Sequence, residues 1–285
     1  MNILVTGCRG QLGTHLGLLA PRSSHQWLFA DVDELDITDR QCVDHFVQEH
    51  DIQLIVNCAA YTNVDRAESE EAITMRINAE AVGNLADIMQ AVGGGLIHIS
   101  TDYVFGGTLY NTPCSENMEP NPTGAYGRTK LVGEQAALRC SRTIILRTSW
   151  LYSEYGRNFL LTMRRLTAEK PQVSVVFDQV GTPTYAGDLA SAIFNIIENG
   201  QLQHVGIYNF SNEGVCSWYD FAVAIAQQCG NTACRVLPCH SDEFPSPVKR
   251  PAYSVLDKTK FKQTFRQEIP HWTDGLRRCI DNLNK

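Results

Sequence analysis

The sequence has no long apolar run and no excess of positive charge. None of its hydrophobic stretches approaches the roughly 20 residues that span a bilayer, and the opening MNILVTG has neither a basic segment nor a cleavage signal. Acidic residues outnumber basic ones by 31 to 24, for a formal net charge of -7, which gives no general attraction to nucleic acid or anionic membranes. We therefore expect a cytoplasmic protein that binds neither, and any nucleotide ligand needs a local site.

The ten cysteines lack the C-x-x-C spacing of common metal sites. A cytoplasmic chain of 285 residues does not need disulfides to stabilise its core. Cys229, Cys234 and Cys239 lie five residues apart and His240 follows, which makes them the candidate metal cluster. Because zinc sites usually show tighter ligand spacing, we expect no metal and interpret most cysteines as small buried hydrophobic residues.

The first half of the chain alternates strand-like and helix-like segments. Short apolar runs predict strands at Ile3–Thr6, Trp27–Ala30, Leu54–Cys58, Leu96–Ile99 and Thr143–Leu146. Helical spacing predicts helices at Gln11–Leu19, Asp39–Glu49 (with Thr38 as N-cap), Ala79–Val92 and Lys130–Cys140. Continuous apolar strands separated by helices are typical of a parallel sheet buried on both faces. The pattern predicts an α/β fold with a doubly wound parallel sheet of the Rossmann type.

The pattern changes after about residue 150. Helices are predicted at Asn158–Ala168, Asp188–Ile197, Trp218–Gln228 and Trp272–Leu283, strands at Val173–Phe177 and Ile207–Phe210, and a loop over Pro238–Pro251. We expect a dinucleotide-binding domain over residues 1–150. Residues 151–285 are expected to form mainly a smaller, interleaved substrate-binding lobe, with some late elements returning to the main sheet.

A glycine-rich turn joins the first predicted strand to the first helix. Gly7, Gly10 and Gly13 form a G-x-x-G-x-x-G pattern that encloses Arg9, Gln11 and Leu12. Glycines let the backbone approach a pyrophosphate, and a helix N-terminus supplies free N–H groups and a positive dipole end. The position directly after a strand favours a dinucleotide site over a plain tight turn.

Further cofactor contacts are predicted at the ends of the second and third strands. Asp31 closes the second strand at the distance expected for an acid that binds the adenosine ribose, although it could be a simple surface acid. It favours NAD, whereas Arg9 could pair with the extra phosphate of NADP, so the choice between NADH and NADPH stays open. Two more segments are expected beside the cofactor, or in plain helix–sheet packing: Asp36-Ile37, near adenine, and Ala59-Ala60-Tyr61 after the third strand.

Tyr126 and Lys130 form a Y-x-x-x-K pattern that places both side chains on one helix face. An ammonium beside a phenol lowers the pKa of the phenol, and such a tyrosine can pass a proton to a developing alkoxide. Many Y-x-x-x-K pairs are only solvated helix faces. Here the fourth strand ends in Ser100-Thr101, at the edge where open α/β sheets place their ligands, and Thr101 or Ser100 supplies a second hydrogen bond to the same oxygen.

These segments together resemble one family. TGCRGQLG, NCAAYTNVDRAE, STDYVFGG, YGRTKLVGE, RTSWLY and DQVGTPTYAGDLA are similar to the motifs of the dTDP-4-dehydrorhamnose reductases, within the extended short-chain dehydrogenases. The resemblance covers nearly the whole chain. It implies NADPH- or NADH-dependent reduction of the C4 keto group of a dTDP-4-keto-6-deoxy sugar, with dTDP-4-dehydro-L-rhamnose as substrate and dTDP-L-rhamnose as product.

The resemblance also assigns residues. It implies that Thr101, Tyr126 and Lys130 are catalytic. The residues expected to bind the substrate are Thr62, Val64, Thr101, Tyr103, Trp150, Asn158 and Arg250, of which Arg250 and Asn158 are candidates for the diphosphate. One departure is His15, which stands where some members carry a glutamate for magnesium at a dimer interface, so no metal is expected and the chain is a monomer or a homodimer.

Two alternatives remain at this point. A relative of the family is a regulatory subunit of methionine adenosyltransferase and keeps much of the cofactor site, so the fold alone does not exclude a binding role. Epimerases and dehydratases share the superfamily. A dehydratase is expected to carry an Asp-Glu pair after the catalytic threonine, where this chain has Asp102-Tyr103, whereas an epimerase is harder to exclude.

Overall fold

The computed structural model describes residues 1–108, 111–244 and 246–285. Its strands are β1 (Asn2–Thr6), β2 (Gln26–Ala30), β3 (Ile52–Asn57), β4 (Gly95–Thr101), β5 (Thr143–Thr148), β6 (Leu151–Tyr152), β7 (Gln172–Val176), β8 (Val180–Gly181), β9 (Thr184–Tyr185), β10 (Gly206–Asn209), β11 (Cys216–Ser217) and β12 (Arg235–Cys239). Its α-helices are α1 (Gln11–Leu19), α2 (Arg40–Glu49), α3 (Val64–Ala67), α4 (Glu71–Met75), α5 (Ala81–Ala91), α6 (Ala125–Ala137), α7 (Phe159–Glu169), α8 (Ala186–Glu198), α9 (Trp218–Gln228), α10 (Thr259–Phe265) and α11 (Trp272–Leu283).

The main sheet has six strands in the order β2-β1-β3-β4-β5-β10, and all its pairs are parallel. The chain moves from β1 to β2 on one side and then returns to place β3 on the other side of β1. The point between β1 and β3 is therefore the topological switch point, where open α/β sheets bind ligands. The predicted doubly wound sheet is confirmed, and β10 joins it from the smaller C-terminal region. The domain boundary at residue 150 stays a prediction.

The central strands carry apolar side chains on both faces, as expected for a parallel sheet that is covered by helices on each side. One core contains Leu16 of α1, Ile193 of α8 and Phe261 of α10. The core on the opposite face contains Val43 of α2 and Leu85 of α5. A third core lies between α7, α9 and α11 in the C-terminal region. Within the described residues, no helix is long and apolar enough to cross a membrane.

Three local predictions were wrong. Thr38 does not cap α2; the carboxylate of Asp39 accepts hydrogen bonds from the first-turn N–H groups of Gln41 and Cys42, as a capping side chain does. The helix predicted over Ala79–Val92 is α-helical only over Ala81–Ala91, because its first two residues belong to a π-helical turn, Arg76–Glu80. The first two residues of the predicted loop over Pro238–Pro251 belong to β12 instead. A proline is tolerated there because the edge of a two-stranded sheet needs no N–H donor. Pro245, within the same predicted loop, lies outside the described residues.

Candidate active site

A cavity of about 1130 Å³ opens at the carboxyl ends of the central strands. Most of the residues predicted from the sequence line it: Gly7, Arg9, Gly10, Gln11, Leu12, Gly13, Asp31, Asp36, Ile37, Ala59, Ala60, Thr62, Val64, Thr101, Tyr103, Tyr126, Lys130, Trp150 and Arg250. The volume exceeds the range of about 300–1,000 Å³ that is usual for one small-molecule site. It is large enough for two ligands side by side.

The glycine turn brings the backbone of β1 against the end of β3. Gly7 has a φ of +63°, and a Cβ there would lie 2.7 Å from the Cα of Ala59. A Cβ on Gly13 would lie 2.5 Å from the Cα of Cys8. Gly10 is the N-cap of α1 and provides no side chain to the first-turn N–H groups. The turn is therefore a backbone cradle that leaves the positive end of α1 facing the cavity, as a pyrophosphate requires.

Three acids surround the end of β2. Asp31 accepts a hydrogen bond from the backbone N–H of Arg9 at 2.9 Å. The guanidinium of Arg9 forms ion pairs with Asp33, at 2.5 Å, and with Glu34. The cation that could meet a cofactor phosphate is therefore already paired with two carboxylates.

Tyr126 and Lys130 lie on α6 and face the cavity beside the end of β4. The Tyr126 side chain lies near the Thr101 hydroxyl in the cavity, and its ring meets that of Tyr103 edge-on with centroids 5.4 Å apart. Lys130 Nζ donates to the carbonyl oxygen of Ile99 at 2.6 Å. Ser100, the alternative hydroxyl, donates to Glu134 at 2.5 Å. Of this pair, Thr101 is thus the hydroxyl that is left to act with Tyr126.

The environment of Tyr126 and Lys130 shifts both pKa values. Loss of water raises the pKa of Tyr126, and the neighbouring Thr101 hydroxyl only partly opposes this. The sequence predicted that the Lys130 ammonium lowers the pKa of Tyr126, and this prediction is wrong. Desolvation dominates, and Lys130 donates to the Ile99 carbonyl instead. Burial lowers the pKa of Lys130 to about 8, although Glu134 acts in the opposite direction. Tyr126 is therefore a protonated phenol at neutral pH, which suits a proton donor.

Trp150 forms one wall of the cavity from a strained backbone. Its φ is +48°, an uncommon value for a residue other than glycine. Its indole stacks on Trp218 of α9 with ring centroids 3.6 Å apart and an interplanar angle of 7°. Gly181 lies against the other side, and a Cβ there would lie 2.7 Å from the indole. The aromatic wall is therefore held from both sides.

Arg250 lies in the cavity but is not a free loop cation. Its guanidinium donates to the hydroxyl of Tyr103 at 3.1 Å and to Asp65 at 2.8 Å. Asp102, next to Tyr103, is buried, and this raises the pKa of its carboxyl to about 7, although the nearby Ser254 and a hydrogen bond from the Thr101 hydroxyl act in the opposite direction. This part of the cavity combines a cation, a phenol and a carboxyl group of variable charge.

Two predicted residues, Tyr61 and Asn158, are absent from the described lining of the cavity. The hydroxyl of Tyr61 donates to Glu70. Asn158 is the N-cap of α7, accepting from Leu161 N at 3.0 Å, and its amide donates to Gln11 Oε1 at 3.0 Å. Asn158 therefore connects the C-terminal region to the glycine turn, which is a structural role.

His15 is buried and lies 3.0 Å from Glu154, measured from Nε2 to Oε2. Its ring also meets those of Tyr155 and Tyr185 edge-on. Over the described ranges, no group of three or more histidine, cysteine or acidic side chains is arranged to hold a metal ion. The cluster considered from the sequence around Cys229 is not such a group.

Sequence reasoning missed Trp218 and Arg157, which line the cavity from the C-terminal region. It also missed Glu68, which accepts a hydrogen bond from the N–H of Ala125 at the start of α6. Trp218 follows the helix cap Ser217, a signal for a helix start but not for a cavity wall. No local pattern marks these residues, because distant segments bring them to the site.

Comparison with known proteins agrees with the motifs. A family model described as the RmlD substrate binding domain matches residues 1–285. A dTDP-4-dehydrorhamnose reductase of Mycolicibacterium smegmatis is 41% identical over 280 residues, which cover 98% of this chain and 84% of that protein. A crystal structure of the Clostridium acetobutylicum dTDP-4-dehydrorhamnose reductase has 39% identity and a TM-score of 0.95, and covers 100% of both chains.

The dTDP-4-dehydrorhamnose reductase of Bacillus anthracis, solved in complex with NADP, is also similar. It has 38% identity, a TM-score of 0.93 and 99% coverage of both chains. The resemblance predicted from the motifs is confirmed over the full length of the chain. The protein belongs to the RmlD substrate-binding domain family.

Proposed function

We propose that the chain is an NAD(P)H-dependent reductase of the C4 keto group of a dTDP-4-keto-6-deoxy sugar, with dTDP-4-dehydro-L-rhamnose as substrate and dTDP-L-rhamnose as product. The observation that carries the proposal is that Thr101, Tyr126 and Lys130 meet in one cavity that also contains the glycine cradle. A reductase needs a proton donor at the developing alkoxide, and a phenol with a raised pKa carries that proton at neutral pH.

The cavity fits a nicotinamide dinucleotide. Side chains at Gly7 and Gly13 would fill the cradle, and the uncapped start of α1 offers N–H groups to a pyrophosphate. Asp31 would hold the adenosine ribose and Lys130 the nicotinamide ribose. When bound, the reduced nicotinamide supplies hydride to C4 of the sugar.

The chain's own residues then complete the reduction. Tyr126 donates its phenolic proton to O4, while the Thr101 hydroxyl hydrogen-bonds the same oxygen. Both interactions strengthen as negative charge develops, so they stabilise the transition state more than the ground state. Trp150 and Tyr103 would pack against the deoxy sugar, and Arg250 would pair with the diphosphate by leaving Asp65.

Tyr126→Phe tests the proposal. Turnover of dTDP-4-dehydro-L-rhamnose should fall by roughly 10²–10⁴-fold, the range of general acid catalysis. Cofactor affinity should stay within about threefold, because the phenyl ring keeps its packing. Near-normal turnover in this variant would remove Tyr126 as the acid.

The two alternatives give different results with the unaltered protein. A regulatory binding subunit would bind the cofactor without oxidising it in the presence of any dTDP-4-keto-6-deoxy sugar. An epimerase would return label from a deuterated reduced cofactor to the cofactor, whereas a reductase transfers the label to C4 of the product. A panel of such sugars also reports which stereoisomer is reduced.

A further inference from the structure

A row of buried polar side chains crosses the main sheet behind Lys130. Thr6 of β1 pairs in register with Asn57 of β3, and Asn57 pairs with His98 of β4. All three are at most 1% exposed. On both sides the row ends at apolar residues, Ala30 on β2 and Ile145 on β5. Polar side chains in the middle of a parallel sheet are costly unless every hydrogen bond is made, so this row, the Thr6–Asn57–His98 ladder, needs an explanation.

The ladder is hydrogen-bonded from end to end and leads to Lys130. The Thr6 hydroxyl donates to Asn57 Oδ1 at 2.7 Å, and Asn57 Nδ2 lies 3.1 Å from His98 Nδ1. His98 Nε2 lies 3.5 Å from Lys130 Nζ. Lys130 comes from α6, and within the described residues its Nζ also donates to the Ile99 carbonyl, at 2.6 Å. His98 is thus the side chain that connects the sheet interior to the amine.

His98 is neutral, because burial and the nearby Lys130 lower its pKa well below the usual value. A neutral imidazole has one N–H and one lone pair. With Asn57 Nδ2 donating to Nδ1, the ring proton is on Nε2 and points at Lys130 Nζ. An Nε2–H bond matches the lone pair of a neutral amine, whereas an ammonium has only donors.

The opposite arrangement needs a rotation of the Asn57 amide and a change of tautomer, in which the ring proton leaves Nε2 and a proton from water binds Nδ1. Its oxygen then accepts from His98 Nδ1–H, its Nδ2 donates to the Thr6 hydroxyl oxygen, and His98 Nε2 accepts from the ammonium. The ladder therefore has one hydrogen-bond arrangement for each protonation state of Lys130. A buried polar network in which the imidazole is paired with Asn57 and Lys130 in both states lowers the cost of changing between them.

We propose that the Thr6–Asn57–His98 ladder positions Lys130 in the cavity and that His98 changes tautomer with the protonation state of Lys130. This inference rests on the proposed function, since Lys130 has a role in turnover only if the chain is a reductase. His98 itself does not line the cavity in the described structure, so it is a positioning residue and not a catalytic one.

Other groups also face Lys130. Glu134, on the same helix, raises its pKa and is itself paired with Arg147. Cys58, at the end of β3, acts in the same direction as Glu134. Tyr126 lies one turn earlier on α6, and its raised pKa keeps it protonated where Lys130 titrates. None of these groups is replaced in the variants below. A shift of the pH profile can therefore be attributed to the contact between His98 and Lys130.

Two isosteric variants separate the two ends of the imidazole. In His98→Gln the amide takes the place of Nε2 and can accept from an ammonium or donate to an amine. In His98→Asn the shorter amide takes the place of Nδ1, so the contact with Asn57 remains and the contact with Lys130 is lost. Ile97→Val, on the same strand and also fully buried, is the control for altered core packing.

The readout is the pH profile of kcat for reduction of the dTDP-4-keto sugar. The alkaline limb should move to lower pH by about one unit in His98→Asn, because the ammonium loses a charged hydrogen bond whose usual strength corresponds to roughly tenfold in an equilibrium constant. In His98→Gln and Ile97→Val the limb should stay in place. If the alkaline limb does not move in His98→Asn, the proposed role of the ladder is wrong. A loss of turnover in Tyr126→Phe would still support the proposed reductase activity.

A second measurement uses the wild-type protein and does not depend on whether a His98 variant folds. Nitrogen-15 NMR of the wild-type protein with bound cofactor reports the tautomer of each histidine ring. We expect one neutral ring, with no protonation between pH 6 and pH 9, to change from the Nδ1–H to the Nε2–H tautomer as Lys130 loses its proton. A single tautomer throughout, or a ring that becomes charged in that range, contradicts the proposal.

Discussion

Glu68 caps the helix that carries Tyr126, although it belongs to a different segment of the chain. Its Oε1 accepts a hydrogen bond from the N–H of Ala125 at 2.6 Å. Gly124, the N-cap of α6, has no side chain to do this. A Cβ on Gly124 would lie 2.7 Å from Glu68 Oε1, so the glycine is what allows the carboxylate to approach. The start of the helix, and with it Tyr126, is thus positioned from outside.

Glu68→Ala should therefore loosen the first turn of α6. We expect the free energy of unfolding to fall by about 1 kcal/mol, as for loss of an N-cap, and kcat to fall several-fold because Tyr126 is less well oriented. Urea unfolding and steady-state kinetics measure the two effects. Glu68→Gln keeps an oxygen acceptor and should lie close to wild type; equal losses in both variants would argue against a capping role.

Gly181→Ala should disturb the aromatic wall. The new methyl group would lie 2.7 Å from the Trp150 indole, and the stack on Trp218 blocks retreat on the other side. We expect KM for the sugar nucleotide to rise about tenfold and the unfolding free energy to fall by roughly 1–3 kcal/mol, as for overpacking. KM for the cofactor should not change.

The control for that variant is Gly17→Ala, where the nearest atom to the added Cβ is the Phe29 ring at 3.8 Å. It should leave both KM values unaltered and stabilise α1 slightly, because alanine favours helix over glycine. An unchanged sugar KM in Gly181→Ala would mean that the Trp150 wall does not contact the sugar.

The acids around Arg9 should set the preference between NADH and NADPH. Asp33 and Glu34 hold the guanidinium, and together with Asp31 they repel a 2′-phosphate. Replacing both partners, as Asp33→Asn with Glu34→Gln, frees Arg9 for that phosphate. The ratio of kcat/KM for NADPH over NADH should rise about tenfold, since guanidinium–phosphate contacts are strong hydrogen bonds. Adding Arg9→Ala to this double variant should cancel the gain; a gain that persists would assign it to another group.

Acid should destabilise the fold through Glu154. Burial acts to raise the pKa of this carboxyl, but hydrogen bonds from His15, Tyr185 and Asn282 outweigh it and lower the pKa to about 2. The folded pKa lies below the ordinary value of 4.5, so the stabilisation is complete above pH 4.5 and is lost as the pH falls towards 2. The full effect is on the order of 3 kcal/mol.

Denaturant unfolding at pH 7 and pH 3 measures this loss. Glu154→Gln should be less stable than wild type at pH 7 and should show a smaller decrease on acidification. Glu169→Gln, which alters an exposed ion pair with Arg165, should follow the wild-type pH dependence. The same pH dependence in wild type and Glu154→Gln would show that other carboxylates cause the acid sensitivity.

Much of the architecture was predictable because its signals are local. Each buried parallel strand is a short apolar run, and α1, α9 and α11 have the predicted bounds. The glycine turn was predictable because close backbone approach admits only glycine, and the helical spacing of Tyr126 and Lys130 brings both to one face. Errors occurred where two capping residues were adjacent, as at Thr38 and Asp39, since only the backbone conformation decides between them.

By itself, the sequence determined the sheet, the cofactor cradle and the residue types of the reactive centre, because turn geometry and helical or strand periodicity depend on neighbours in the chain. Tertiary structure alone decided which distant groups support that centre. Glu68 at α6, Trp218 behind Trp150, and His98 behind Lys130 come together only when separate elements pack. It also decided the pKa of Tyr126, because the loss of surrounding water is a property of the folded cavity and not of the motif.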